Sequence, residues 1–275
     1  MSFTRPPAVA GMFYPQVPAV LSRDVDDLLR RATKKSVPGT VLGLIVPHAG
    51  YVYSGFTAAH AYRMLEGKQF DAVIVVGPSH REYFDGVSVF PGDAYKTPLG
   101  DVPVHAAIRD EFVAFGKSMI LANAGHRSEH SVEVQIPFLQ KTLKSFQIVP
   151  LVMGDQRREH CENLAECLAT VSKGRNILFV ASSDLSHYHA YDEAVGLDRR
   201  VIADVESFNP DHLMETLEQE QVEACGGGPI VSMMLAARKL GGEKSEILHY
   251  SNSGDVTGEK EAVVGYMAAA LMKVH

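Results

Sequence analysis

Three histidines in this 275-residue chain stand just past the ends of short apolar runs: His48 after VLGLIVP, His80 after DAVIVVGPS, and His187 after ILFVASSDLS. Imidazole ligates transition metals and exchanges protons near neutral pH. Cys225, in ACGGGP, adds a soft sulfur that can act as a ligand or a nucleophile. His48, His80 and Cys225 are therefore candidate ligands of a late first-row divalent metal. His187 and the nearby Asp184 are candidates for proton transfer, with the carboxylate orienting an imidazole. Glu129 and His130, in RSEHS, could line the same cleft.

Each of these residues also has a plainer reading. A lone histidine at a strand end is more often hydrogen-bonded or exposed than a ligand, and ligands this far apart in the chain have no diagnostic spacing. Ser182, Ser183 or Asp184 could cap a helix, as could Ser128 and Glu129. Cys225 could be a small buried residue beside a tight turn. Repetition singles the histidines out, because three buried-looking strands end in the same way. Cys225 further precedes Gly226-Gly227-Gly228-Pro229, a helix opening whose unpaired N–H groups favour an anion, so its thiol is expected to ionise more readily than usual. Without a metal, that sulfur with His187 or His80 as base would give acyl-transfer or hydrolase chemistry. A third possibility is a binding module that takes an anionic peptide or small metabolite. Tyr51 and Tyr53, read as a loop after His48, could supply hydroxyl donors and ring surface.

These side chains need a scaffold that brings strand ends together. Continuous apolar runs such as Asp71 to His80 and Asn176 to Ser182 read as strands buried on both faces. Helical patterns alternate with them at 17–34, 56–65, 157–171, 191–208 and 210–219, and another helix is opened by the glycine turn at 222–229. Such alternation predicts one α/β domain over 1–275, a largely parallel central sheet flanked by helices, with ligands bound in the crevice beyond the strand ends. Gly86 to Phe90 reads as a strand, Tyr95 to Val104 as a hairpin and Asn123 to Gln135 as a loop over the site. Pro150, inside QIVPLVM, marks an edge strand or a bulge. Ala262 to Leu271 is ambiguous between strand and helix.

The bulk composition narrows the function classes. Lys and Arg total 26 against 33 Asp and Glu, a net charge of -7 that argues against nucleic acid or an anionic membrane as partner. No run approaches the roughly 20 apolar residues of a membrane span, and MSFTRPPAVAGMFYP lacks an apolar signal core, so a cytoplasmic setting is expected. The three cysteines form neither zinc-finger spacing nor a complete disulfide framework. Cys161 and Cys167 read as packing residues, and no CxxxCxxC motif is present to carry a radical-SAM cluster.

Seven segments, RPPAVAGMFYP, VPHAGYVYSG, GPSH, TPLGDVPV, EHSVEVQIPFL, SSDLSHY and ACGGGP, occur in this order along nearly the whole chain. With them the sequence resembles the Memo family, which includes the bacterial and archaeal AmmeMemoRadiSam system protein B. That family in turn looks like the class III extradiol ring-cleaving dioxygenases, whose α/β fold holds non-haem Fe(II) with two histidines and a carboxylate. The resemblance implies His48 and His80 as the histidine ligands, Cys225 as the third ligand, and His187 at the acid/base position. It implies copper or iron with redox activity, zinc being a further possibility, and a setting with a radical-SAM protein as partner. A thiolate where the dioxygenases have a carboxylate softens the site and puts ring cleavage in question.

Overall fold

The computed structural model describes residues 3–37 and 39–274. The chain enters through the two-residue strand β1 (Thr4–Arg5) and an irregular segment into α1 (Pro18–Arg31), which opens on a proline and buries Leu21, Val25 and Leu29. Then β2 (Thr40–Val46), α2 (Tyr51–Tyr62) and β3 (Ala72–Pro78) form a strand–helix–strand unit. An excursion follows: β4 (Val87–Val89), the hairpin β5 (Ala94–Thr97) and β6 (Gly100–Pro103), α3 (Ala106–Phe115) and β7 (Met119–Leu121). A loop and a 3-10 turn at Glu133–Gln135 run into α4 (Ile136–Thr142), and β8 (Ile148–Met153), α5 (Arg158–Val171) and β9 (Ile177–Ser182) come next. The last part comprises β10 (His187–His189), α6 (Tyr191–Glu206), α7 (Pro210–Glu218), α8 (Gly227–Lys239), β11 (Lys244–Asn252), α9 (Ser253–Thr257) and β12 (Val263–Lys273).

Nine strands share one sheet in the order β10-β12-β2-β9-β3-β8-β4-β7, with β11 on the other side of β12, while β1, β5 and β6 make a small separate sheet. The parallel centre expected from the apolar runs is β2-β9-β3-β8. Antiparallel strands extend it on both sides, so the sheet as a whole is mixed. Along β3 alternate residues enter opposite cores: Ile74 and Val76 pack with α3, α5, α7 and α8, and Val73 and Val75 with α1, α2 and α4.

This arrangement corrects one local expectation and resolves one ambiguity. Pro150 lies inside the sheet, because β8 pairs with β3 on one side and β4 on the other. Its ring is tolerated there because the β4 ladder begins only at Leu151, so the missing N–H leaves no bond of that ladder unmade, and its carbonyl still accepts from Phe90 N. The ambiguous tail is a strand despite its run of alanines, since pairing with β2 and β11 outweighs helix propensity.

The irregular N-terminal segment is fastened by a buried ion pair. Arg5 and Glu133, with side chains 3% and 0% exposed, meet at 2.6 Å. Arg5 also donates to the carbonyls of His126 and Glu129, and Glu133 accepts from Ala8 N, Val9 N and Tyr14 OH. No helix among the described residues is long and apolar enough to cross a membrane.

Candidate metal centre

The strand order explains why distant residues meet. β9 lies between β2 and β3, so the ends of three adjacent parallel strands, about 4.8 Å apart, open on one crevice. His48 follows β2, His80 follows β3, and Ser182 ends β9. Cys225 arrives from elsewhere, at the turn into α8. There Gly226 N donates to Ser183 Oγ, and a Cβ on Gly226 would stand 2.3 Å from the Ser182 carbonyl oxygen, so only glycine permits the approach.

Hydrogen bonding fixes which nitrogen each imidazole presents. Ser182 Oγ donates its single proton to the Ser131 carbonyl at 2.6 Å and accepts from Gln135 Nε2 at 2.8 Å. Its contact with His48 Nδ1, at 2.9 Å, must therefore be an N–H donation from the ring. The other nitrogen, Nε2, is left as a lone pair and faces Cys225 Sγ at 3.1 Å. His80 is set in the same sense, with Nδ1 donating to Glu129 Oε1 at 2.9 Å. Glu129 is buried and accepts in addition from the backbone N–H groups of His80, His130 and Ser131. Burial alone would push its carboxyl up, but the His80 hydrogen bonds and the charge of His130 hold it well below the usual range.

Ligand atoms of His48, His80 and Cys225 all lie within 4.8 Å of one another, and the two rings have centroids 5.0 Å apart. Donors at bond lengths of roughly 2.0–2.3 Å around one ion stand about 3–4 Å apart, so small side-chain rotations close this set. Two lone pairs and one thiol, oriented by partners on their far sides, fit a late first-row metal. One expectation reverses: burial, reinforced by the Asp184 carboxylate, pushes the Cys225 thiol up rather than down. The sulfur accepts from Asp184 N at 3.2 Å, and desolvation outweighs the helix terminus.

Three further predicted residues face the same cleft, a cavity of about 760 Å³. His130 stacks on His80 with centroids 4.7 Å apart, and its Nδ1 lies 3.1 Å from Glu129 Oε1 without the alignment of a hydrogen bond. Burial lowers it to about 4. Asp184 caps no helix. Its Oδ1 accepts from the backbone N–H groups of His48 and Ala49, and burial raises its carboxyl to about 7 despite those bonds. His187 is half-buried and shifted down by desolvation. The two tyrosines separate: α2 begins at Tyr51, which is buried with its hydroxyl on the Val134 carbonyl, whereas Tyr53 lines the cleft.

Sequence reasoning named Ser182 only as a possible cap and missed Gln135, whose amide also donates to the Pro47 carbonyl and accepts from Tyr62 OH. A glutamine inside VEVQIPFL, where apolar residues bracket it, was the available signal. Cys161 and Cys167 are buried in α5 with thiols pushed up to about 12, as packing residues should be. Asp85, Asp155 and His160 also converge, but the Arg157 guanidinium already binds both carboxylates, at 2.9 and 2.7 Å.

A family model described as Memo-like protein matches residues 5–270. The chain belongs to the Memo family. Its Memo relatives include a MEMO1 family protein of Methanosarcina mazei, 39% identical over 269 residues that cover 96% of this chain and 97% of the relative. Another, from Methanocaldococcus jannaschii, is 39% identical over 286 residues, covering 98% and 99%. Among solved structures, an uncharacterized protein of Escherichia coli K12 matches this Memo chain with a TM-score of 0.57 over 84% of this chain and 99% of that one. At 16% identity that likeness concerns the fold alone.

Proposed function

We propose that this Memo-family chain is a metal-dependent redox protein, with copper or iron held by His48 Nε2, His80 and Cys225. The observation that carries the reading is that both imidazoles engage Nδ1–H on the outer side, that His48 Nε2 faces Cys225 Sγ at 3.1 Å, and that ligand atoms of His48, His80 and Cys225 lie within 4.8 Å of one another. Copper or iron there would supply one-electron chemistry and coordination positions open to the cleft. The chain's own groups would then bind and orient a small molecule. Asp184 and His187, which line the cleft, would hold or move a proton at its wall, with His130 stacked on His80. The carboxyl of Asp184, raised to about 7, suits transfer near neutral pH.

The test is the metal content of purified, reconstituted protein. His48→Ala and Cys225→Ala should each lower the bound equivalent strongly while circular dichroism stays unchanged; undiminished stoichiometry overturns the proposal. A second reading draws on the same 3.1 Å contact, taking Cys225 as a nucleophile with His48 beside it. Fast iodoacetamide labelling of Cys225 that added copper or iron does not slow would favour that reading, and protection by the metal would favour the first.

A further inference from the structure

Tyr188 has φ +62°, in the left-handed region that a residue with a bulky side chain seldom adopts. The other described non-glycine residues with positive φ, Lys117, Phe208 and Glu220, each follow within two residues of a helix end, where a left-handed turn is an ordinary way to stop. Tyr188 instead sits in the middle of β10. There the register with β12 slips: His187 pairs with Val264 and His189 with Val263, so Tyr188 is the extra residue of a β-bulge. The bulge turns its ring outward, 76% exposed, at the mouth of the cleft. Packing in the fold does not account for a strained backbone that presents a ring to solvent.

What the ring faces gives it a use. The same cleft is lined both by apolar and aromatic side chains, among them Phe13, Tyr53 and Tyr266, and by the histidines, with Phe13 4.6 Å from the His130 ring and Tyr188 5.8 Å from the His187 ring. Met12 and Tyr53 are, like Tyr188, large apolar or aromatic side chains left exposed. We infer that Tyr188 is a specificity-determining residue, a wall against which the apolar body of a small ligand packs while its polar head reaches the histidines. The position of the head rests on the metal reading above; the role of the ring does not. Backbone strain at a site that the surrounding sheet over-determines is how such a side chain is held ready before the ligand arrives.

The test separates head from body. In cobalt-loaded protein, imidazole and 4-phenylimidazole are titrated by the ligand-field absorption. Tyr188→Ala and Tyr188→Gly should weaken 4-phenylimidazole by about 2- to 10-fold, the range of one aromatic contact, and leave imidazole unchanged, while Tyr188→Phe behaves as wild type. Equal loss for both ligands, or for neither, overturns the inference. A metal-free arm follows the fluorescence of 1-anilinonaphthalene-8-sulfonate, whose enhancement should fall in Tyr188→Ala and not in Tyr83→Ala, an equally exposed tyrosine outside the cleft. If imidazole does not bind the loaded protein, the metal reading fails and this arm alone decides the role of Tyr188. Thermal unfolding supplies the control for a structural role: Tyr188→Gly and Tyr188→Asn should melt at or above the wild-type temperature, and a fall of several degrees overturns the inference.

Discussion

Cys225 Sγ and His48 Nε2 lie 3.1 Å apart across 177 positions of sequence. The contact is held from both sides, by Asp184 N on the sulfur and by Ser182 Oγ on the far nitrogen of the ring. Its orientation therefore depends on residues outside the proposed donor set.

Ser182→Ala should remove the acceptor that keeps the proton of His48 on Nδ1. Metal affinity is expected to fall by about 10- to 100-fold, as for other partners of ligating histidines. The buried Nδ1–H of His48 and one amide N–H of Gln135 lose this partner as well, at a cost of about 1–3 kcal/mol each. Competition against a chelator of known affinity measures the first effect and denaturant titration the second. An unchanged affinity would show that Ser182 does not set the tautomer.

Gly226→Ala places a methyl group 2.3 Å from the Ser182 carbonyl oxygen, so α8 must move back and carry Cys225 away from His48. Weaker metal binding and a loss of about 1–3 kcal/mol are expected, in line with overpacking elsewhere. Gly196→Ala, in α6 with open space around its Cβ position, serves as comparison and should be neutral or stabilising by up to about 1 kcal/mol. If the two variants melt alike, the close approach at Gly226 is not required.

Glu133→Gln should be the most destabilising of these changes. It leaves Arg5 buried without its countercharge, which costs about 3–5 kcal/mol. Because Glu133 also receives Ala8 N and Val9 N, protease sensitivity should rise first within residues 5–15. A variant as stable as wild type in urea would refute this account of the N-terminal segment.

Stability should also depend on pH through His126. The ring is 1% exposed, donates from Nε2 to the Ser88 carbonyl and accepts at Nδ1 from Tyr95 OH, and burial lowers its folded value from 6.5 to about 3. Since the folded value is the depressed one, the unfolded chain binds the proton first as pH falls. The contribution is complete above 6.5 and is lost between 6.5 and about 3, with a slope of about 1.4 kcal/mol per pH unit. Unfolding free energies of wild type and His126→Gln, compared from pH 7 to 4, should converge as pH falls; parallel curves would exclude the ring.

The strand-end histidines were legible because parallel strands buried on both faces run apolar to their ends, so a polar ring immediately beyond one is conspicuous. His48, His80 and Cys225 could be proposed on side-chain chemistry, and the ends of β2, β9 and β3 carry the geometry that joins them. What escaped notice depends on tertiary context. Pro150 reads as an edge residue until the short reach of β4 is known. The Cys225 thiol reads as acidic from its helix terminus, whereas desolvation acts the other way. The network of Ser182 and Gln135 has no spacing signature, because hydroxyl and amide groups from β9 and the turn before α4 meet only through the fold. The bulge at Tyr188 follows from a one-residue slip between β10 and β12, and SHYH contains nothing that announces it.

The placement of β9 between β2 and β3 bears on when the proposed ion could be taken up during synthesis. Two of the three donors leave the ribosome early, yet the strand that fits between theirs is made roughly a hundred residues later, and the sulfur later still. A nascent chain stalled before Cys225 offers at most a pair of imidazoles, so an ion held as proposed would be taken up only at the last stage of the protein's making.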